Sequence, residues 1–200
     1  LSFMVIGSDL LMSEKDASRI ARRAATDASV FEQTACASPH NIFVERGGTI
    51  TPSHFAALLS AEMHRTLARM PKDPGSARWA IDVRNARAVS EFKEEVWASD
   101  GTEWTVVYSE EEELSPPTYS RFVNVRPVED VMDTIAYAST AIQTVGLALT
   151  GPRRLKLANA LTRRGVERCP EIGKMTHFET PWDGLIPMER LVRWTTLGGP

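Results

Sequence analysis

The sequence has few cysteines and no marked excess of charge. Its 200 residues include two cysteines, far apart, and its formal net charge is −3. Two such cysteines exclude a disulfide framework, and no cysteine–histidine pair has zinc-ligand spacing, so we predict no metal site and a reducing, cytoplasmic compartment. The small net charge gives no electrostatic reason to expect nucleic acid or an anionic membrane as a partner.

Long apolar runs, a signal peptide and an initiator methionine are missing as well. No apolar run approaches the roughly 20 residues that a membrane-spanning helix needs, so no span is predicted. The chain starts at Leu1, directly in an apolar stretch. We therefore expect residues 1–200 to be the C-terminal part of a longer polypeptide.

The sequence does contain a regular alternation of short apolar runs and amphipathic segments. The patterns predict strands at 1–7, 42–44, 104–108, 122–125, 145–149 and 166–169, and helices at about 14–31, 52–70, 77–98, 129–141 and 152–164. Helices of crossover length between strands predict an α/β fold, a largely parallel three-layer sheet with helices on both faces. Residues 186–200 are less regular, and we expect a terminal strand or arm there.

Cys36 is the residue with most chemical interest. It lies in a run of small residues between a predicted helix and a predicted strand, without a bulky apolar wall around it. Backbone N–H groups left free in such a loop would favour the thiolate and form part of an oxyanion hole. By residue type alone, however, a free cysteine is more often a buried small hydrophobe than a nucleophile.

Several short motifs in order along the chain favour the nucleophile. They are QTACASPH at 33–40, FVE at 43–45, QTVG at 143–146, GVER at 165–168, WDG at 182–184 and LVRW at 191–194. This set resembles the LuxC-type acyl-CoA or acyl-protein thioester reductases, the fatty acid reductase branch of the aldehyde dehydrogenase superfamily. The interval of eight residues from Cys36 to Val44 is also similar to the superfamily's.

The resemblance implies an aldehyde dehydrogenase-like catalytic domain over 1–200, with Cys36 as nucleophile. It implies NADPH-dependent reduction of a long-chain fatty acyl thioester to an aldehyde through a cysteine acyl-enzyme. The superfamily's glycine-rich segment with the general-base glutamate, and its cofactor domain, would both precede Leu1. NADPH would then be bound mainly by a domain not in this chain, and the isolated fragment would be incomplete as an enzyme.

The resemblance also suggests partners and one cofactor residue. It implies an acyl-transferring or acyl-activating protein partner and a homo-oligomer. Glu113, in Glu113–Pro117, loosely resembles the glutamate of the superfamily's Glu-x-Phe-Gly-Pro motif, which holds the nicotinamide ribose. Two residues of that motif are replaced here, and a solvated acidic run at 110–113 explains Glu113 more simply.

Other candidates are weaker, and two other functions stay open. His40 is close enough in sequence to raise the thiolate character of Cys36, but we predict no histidine as general base, and Cys169 is expected to be structural. The same fold would also suit oxidation of an aldehyde to an acid. A third alternative is a non-catalytic module for oligomerisation or acyl carriage.

Overall fold

The computed structural model describes residues 1–72, 77–181 and 184–199. The predicted loop at 73–76 and the first two residues of the 182–184 motif lie outside the described residues. Six strands in the described residues form one sheet, in the order β3-β4-β5-β2-β1-β6. They are β1 (Ser2–Ile6), β2 (Pro39–Glu45), β3 (Glu95–Ala98), β4 (Thr105–Tyr108), β5 (Phe122–Val128) and β6 (Thr144–Ala148).

The sheet is largely parallel, as predicted. β4, β5, β2, β1 and β6 run in one direction, and β3 pairs antiparallel with β4 at one edge. Every residue of β1 and β2 is buried. A strand covered on both faces reads as a continuous apolar run, which is why the first residues of the chain show no alternation.

Helices cover both faces of this sheet. They are α1 (Glu14–Ser29), α2 (Pro52–Arg69), α3 (Ala77–Ser90) and α4 (Gly151–Thr162), and a short α5 (Pro187–Leu191) follows with no buried residue. α1 and α2 share one apolar core with alternate residues of β1 and β2, including Met4 and Ile42. α4 and a 3₁₀ helix at Val131–Tyr137 share a second core with Phe3 and Phe43 on the opposite face.

Side-chain caps set the starts of the two long helices. The Ser13 hydroxyl accepts a hydrogen bond from the amide of Asp16 at 3.2 Å, and the Thr51 hydroxyl accepts one from the amide of His54 at 3.2 Å. Pro52 follows at the first helical position, where its missing N–H costs nothing. These contacts and the two cores confirm the three-layer α/β fold.

Two predicted helices are wrong in extent. The helix predicted at 77–98 ends at Ser90, because Val96 and Trp97 belong to β3 and pair with β4. The helix predicted at 129–141 is a 3₁₀ helix at Val131–Tyr137, which begins at an Asp130 cap and ends where Ala138 turns extended. Its β-branched residues are poor formers of a longer α-helix.

The C-terminal region is less regular than the rest. The strand predicted at 166–169 is reduced to single bridges from Arg168 and Glu171 to β6. Pro170 lies between them and has no N–H to donate, so a continuous ladder cannot form. The described part of 186–200 contains α5 and no strand, and its residues are exposed. In the described part of the chain, no helix has the length and apolar character needed to span a membrane.

Candidate active site

Cys36 lies on a tight turn at the amino edge of the parallel sheet. The amide of Ser38 donates to the carbonyl oxygen of Ala35 at 3.0 Å, which places Cys36 and Ala37 at the two central positions of the turn. The Ser2 hydroxyl, at the start of β1, donates to the carbonyl oxygen of Cys36 at 2.7 Å. The thiol is exposed, so the structure contains the accessible cysteine that the small-residue loop predicted.

The turn leaves two backbone donors available beside the thiol. The amides of Cys36 and Ala37 donate to no other group among residues 1–72, 77–181 and 184–199. Neighbouring free N–H groups on a rigid turn are the kind of donor that stabilises an oxyanion. The geometry therefore combines an exposed cysteine with hydrogen-bond donors on the same four residues.

The backbone just before the turn is left-handed over three successive residues. Phe31, Glu32 and Gln33 have φ values of 54°, 52° and 61°. None is glycine, and each L-residue in this region costs about 1–2 kcal/mol. Backbone strain of this kind persists where the surrounding structure over-determines it, and it clusters at functional sites.

A second left-handed turn faces the first. Tyr119, Ser120 and Arg121 have φ values of 62°, 63° and 61°. The amide of Ser120 donates to the carbonyl oxygen of Glu32 at 3.1 Å. The Arg121 guanidinium donates to both carboxylate oxygens of Glu32, at 2.8 and 2.6 Å. The Arg121 side chain is only 3% exposed, so this bidentate pair is largely shielded from solvent.

Gln33 joins the two turns to the sheet through its side-chain amide. Its Nε2 donates to the carbonyl oxygens of Pro39 at 2.8 Å and Phe122 at 3.0 Å, and its Oε1 accepts from the amide of Phe122 at 2.7 Å. Gln33 is fully buried. The sequence motif contained this glutamine, but its spacing alone gave no role for it. Arg121 had no signal in the sequence at all.

Three buried polar atoms at this edge of the sheet have no hydrogen-bond partner in the described residues. They are Ser38 Oγ, His40 Nδ1 and Gln143 Oε1. The carbonyl oxygen of Gln143 accepts from the amides of Glu167 and Arg168, so the 143–146 and 165–168 motifs are in contact. Unsatisfied buried polar groups are uncommon in proteins, and these three lie at the same amino edge of the sheet as the Cys36 turn, while other such atoms belong to Ser29, Trp104 and Arg126.

His40 does not supply charge to the thiol. Burial lowers its pKa to about 4, so the imidazole is neutral near neutral pH. The ring packs edge-on against Tyr119, with centroids 5.0 Å apart. The possibility that His40 raises the thiolate character of Cys36 is therefore not supported, because a neutral ring offers no positive charge.

Glu113 lies in the loop between β4 and β5, and its contacts are with other residues than those of the Cys36 turn. It receives hydrogen bonds on Oε1 from Ser115 Oγ at 3.0 Å and from Arg126 Nη2 at 3.4 Å, while its Oε2 bonds to no described residue. Its partner Arg126 is in register with Phe43, in the middle of β2, whereas Cys36 lies before the first residue of β2. No hydrogen bond or ion pair joins Glu113 to the described turn at 35–38. An exposed carboxylate with a free oxygen fits the hydroxyls of a ribose, and the cofactor role of Glu113 stays a prediction.

Cys169 is unlike Cys36 in its surroundings. Burial raises the pKa of its thiol to about 11, and the side chain packs on the second apolar core. A thiol in such surroundings is inert, which agrees with the predicted structural role. Among the described residues, no group of three or more histidine, cysteine, aspartate or glutamate side chains could hold a metal ion.

The chain is similar to a known protein family and to solved structures. The family model for acyl-CoA reductase (LuxC) matches residues 1–194. No curated protein sequence matches the chain significantly. An NAD-dependent aldehyde dehydrogenase from Burkholderia multivorans superposes with a TM-score of 0.65 at 13% identity, over 92% of this chain and 36% of that one.

Two further solved structures are similar. An NAD-dependent benzaldehyde dehydrogenase from Corynebacterium glutamicum has a TM-score of 0.58 at 10% identity, over 91% of this chain and 41% of that one. The Delta-pyrroline-5-carboxylate dehydrogenase of Mycobacterium tuberculosis has a TM-score of 0.57 at 12% identity, over 85% and 34%. Identities this low establish the fold alone, and the chain spans little more than a third of the length of these structures.

Proposed function

Since the chain belongs to the acyl-CoA reductase (LuxC) family, we propose that it supplies the nucleophilic cysteine of a reductase that converts long-chain fatty acyl thioesters to aldehydes. The observation that carries this proposal is the exposed Cys36 thiol on a turn with two free amides. Loops held by a rigid scaffold are where catalytic side chains are commonly placed. Here the scaffold is the amino edge of β1 and β2.

Acylation is the step that these residues perform directly. The Cys36 thiolate attacks the thioester carbonyl carbon, a new carbon–sulfur bond forms, and the carrier leaves as its thiolate, which takes up a proton. One thioester replaces another, so the acyl-enzyme forms at little thermodynamic cost. The amides of Cys36 and Ala37 stabilise the intervening oxyanion, and losing one such donor costs about 3 kcal/mol in other enzymes.

Reduction requires a hydride donor, which we propose is bound mainly outside this chain. A nicotinamide cofactor would supply the hydride when bound, and the free Oε2 of Glu113 would hold its ribose. The nicotinamide class is supported by solved relatives that are named NAD-dependent; the choice of NADPH, bound mainly outside this chain, is our proposal. After the acyl carbonyl is reduced, the bond between that carbon and the Cys36 sulfur would break, which would regenerate the Cys36 thiolate and release the aldehyde. An acyl-transferring or acyl-activating protein partner, a homo-oligomer and a cytoplasmic location complete the proposal.

Acylation of Cys36 is the first test. The protein is incubated with palmitoyl-CoA, digested, and analysed by mass spectrometry for an acyl group on the peptide that contains residue 36. We expect stoichiometric acylation that Cys36→Ala abolishes and that Cys169→Ala leaves intact. Acylation that persists in Cys36→Ala, or a native Cys36 that resists both palmitoyl-CoA and iodoacetamide, contradicts the proposal and favours the non-catalytic module.

The direction of the reaction is a separate test. The complete polypeptide is supplied with NADPH and a long-chain acyl-CoA, and the absorbance of NADPH is followed. Oxidation of NADPH with release of fatty aldehyde supports the reductase. If NADPH is not consumed and a long-chain aldehyde instead reduces NAD, the protein is an aldehyde-oxidising enzyme of the same fold.

A further inference from the structure

We propose that Glu32, Gln33 and Arg121 are positioning residues, which hold the Cys36 turn rigidly against the loop at 109–121. The inference rests on the proposed function only in taking Cys36 as the nucleophile. The loop at 109–121 also carries Glu113, the candidate cofactor residue. The contacts of these positioning residues reach this loop at Ser120 and Arg121 rather than at Glu113.

The local sequence does not explain the two left-handed turns. Neither Phe31–Gln33 nor Tyr119–Arg121 contains glycine, and bulky residues such as Phe31 and Tyr119 rarely adopt positive φ. Because each segment alone would relax to another conformation, contacts between them must maintain both. These contacts join parts of the chain that lie 89 residues apart in sequence.

The contacts are buried and satisfy one another. Glu32 receives two hydrogen bonds from Arg121, and Arg121 also donates to the carbonyl oxygen of Met70 at 2.8 Å. The Glu32 side chain is 21% exposed and that of Arg121 is 3% exposed. Removing one partner would leave the other charge without its hydrogen bonds in a poorly solvated place. The pair therefore holds the turns in a single arrangement.

Gln33 connects these contacts to the Cys36 turn. Its Nε2 bonds to the carbonyl oxygen of Pro39, so the side chain closes the segment 33–39 from both ends, with Cys36 in the middle. The same Nε2 also donates to the carbonyl oxygen of Phe122, the first residue of β5, and Gln33 Oε1 accepts from the amide of Phe122. A shift of the 119–122 backbone would therefore be transmitted to the turn that presents the thiol.

β2 offers a matched control at its opposite end. Glu45, its last residue, pairs with Arg153 at 2.5 Å, and its side chain is 6% exposed. This pair is also a glutamate–arginine contact, with a buried carboxylate and an Arg153 side chain that is 35% exposed, and it lies at the carboxyl edge of the sheet, away from Cys36. A purely structural role for the Glu32–Arg121 pair predicts that breaking it slows acylation of Cys36 no more than breaking the Glu45–Arg153 pair does.

The experiment compares Glu32→Gln, Arg121→Gln and Gln33→Glu with Glu45→Gln, and uses Arg121→Lys as the conservative variant. Three quantities are measured in the full polypeptide: amide hydrogen exchange of the peptide covering 31–38, the rate of Cys36 alkylation by iodoacetamide, and the single-turnover rate of Cys36 acylation by palmitoyl-CoA. Variants that lose cooperative thermal unfolding are replaced by their milder counterparts, with Arg121→Lys in place of Arg121→Gln.

We expect faster exchange at 31–38 in the three positioning variants and not in Glu45→Gln. Acylation should fall roughly tenfold to a hundredfold, since it needs an aligned thiol, while alkylation by the small reagent stays within about threefold. Arg121→Lys should recover part of the acylation rate. Unchanged exchange at 31–38, or equal effects in Glu45→Gln, overturns the inference. If the unmodified protein is alkylated but never acylated, the proposed function fails, and the exchange comparison alone decides the inference.

Discussion

Glu45 should make a large, pH-dependent contribution to stability. Its Oε2 accepts from the amide and hydroxyl of Ser8 at 2.8 and 2.6 Å, and its Oε1 accepts from Arg153 at 2.5 Å and from the amide of Val131 at 3.2 Å. Burial disfavours the charge, but hydrogen bonds from Arg153 and Ser8 outweigh it and lower the pKa of Glu45 from 4.5 to about 2.

The magnitude follows from that depressed pKa. Each factor of ten in proton affinity corresponds to about 1.4 kcal/mol, so ionised Glu45 stabilises the folded state by about 3 kcal/mol at neutral pH. Because the pKa in the folded state lies below that in the unfolded state, the contribution is complete above about pH 4.5. It is lost as the pH falls from there towards 2.

Urea unfolding of the unmodified protein and Glu45→Gln, at several pH values from neutral to about 3, measures this contribution. We expect the variant to be less stable by about 2–3 kcal/mol at neutral pH and the difference to shrink steadily below about pH 4.5. Glu111→Gln, at an exposed position, serves as control and should change little. A difference between Glu45→Gln and the unmodified protein that is the same at pH 7 and pH 3 refutes the reasoning.

Three further predictions concern other parts of the molecule. Iodoacetamide should label Cys36 well before Cys169, because the raised pKa of the Cys169 thiol lowers its thiolate fraction about a hundredfold below that of an ordinary thiol. Equal labelling of the two cysteines in a peptide map would contradict this prediction. Asp27 is buried and accepts hydrogen bonds from the amides of Gly173 and Met175, and burial raises its pKa to about 6. Its contribution to stability should therefore be complete below about pH 3.8 and lost as the pH rises through 6. In urea titrations, Asp27→Asn should remove this pH dependence. Ala24→Leu, on the fully buried face of α1, should lower the free energy of unfolding by about 1–3 kcal/mol through overpacking, whereas Arg22→Leu on the exposed face should not.

Most of the fold could be predicted because local patterns agree with the tertiary structure. The apolar runs of β1 and β6, and the Ser13 and Thr51 caps, each indicate their element within a few residues. β3 was missed because Val96 and Trp97 continue the helical spacing of α3, and only pairing with β4 makes them a strand. Local propensity does not predict strands that depend on tertiary contacts of this kind.

The candidate site was predictable only in part. A small-residue loop and an ordered set of motifs were enough to single out Cys36. The sequence could not show that Glu32 meets Arg121, because no periodicity or spacing joins residues so far apart. Left-handed backbone at Phe31 and Tyr119 was also invisible, since such conformations are expected at glycine, and here long-range contacts impose them on bulky residues.

The left-handed turns also identify where the protein could be engineered and at what cost. Phe31 is 62% exposed, so its side chain contributes little packing while its backbone stays strained. Glycine tolerates that conformation, and Phe31→Gly should therefore relieve strain locally. Stabilising changes commonly lower activity where strain serves the site. If Phe31→Gly is more resistant to heat but acylated more slowly at Cys36, the strain at residue 31 serves the site at a cost in stability.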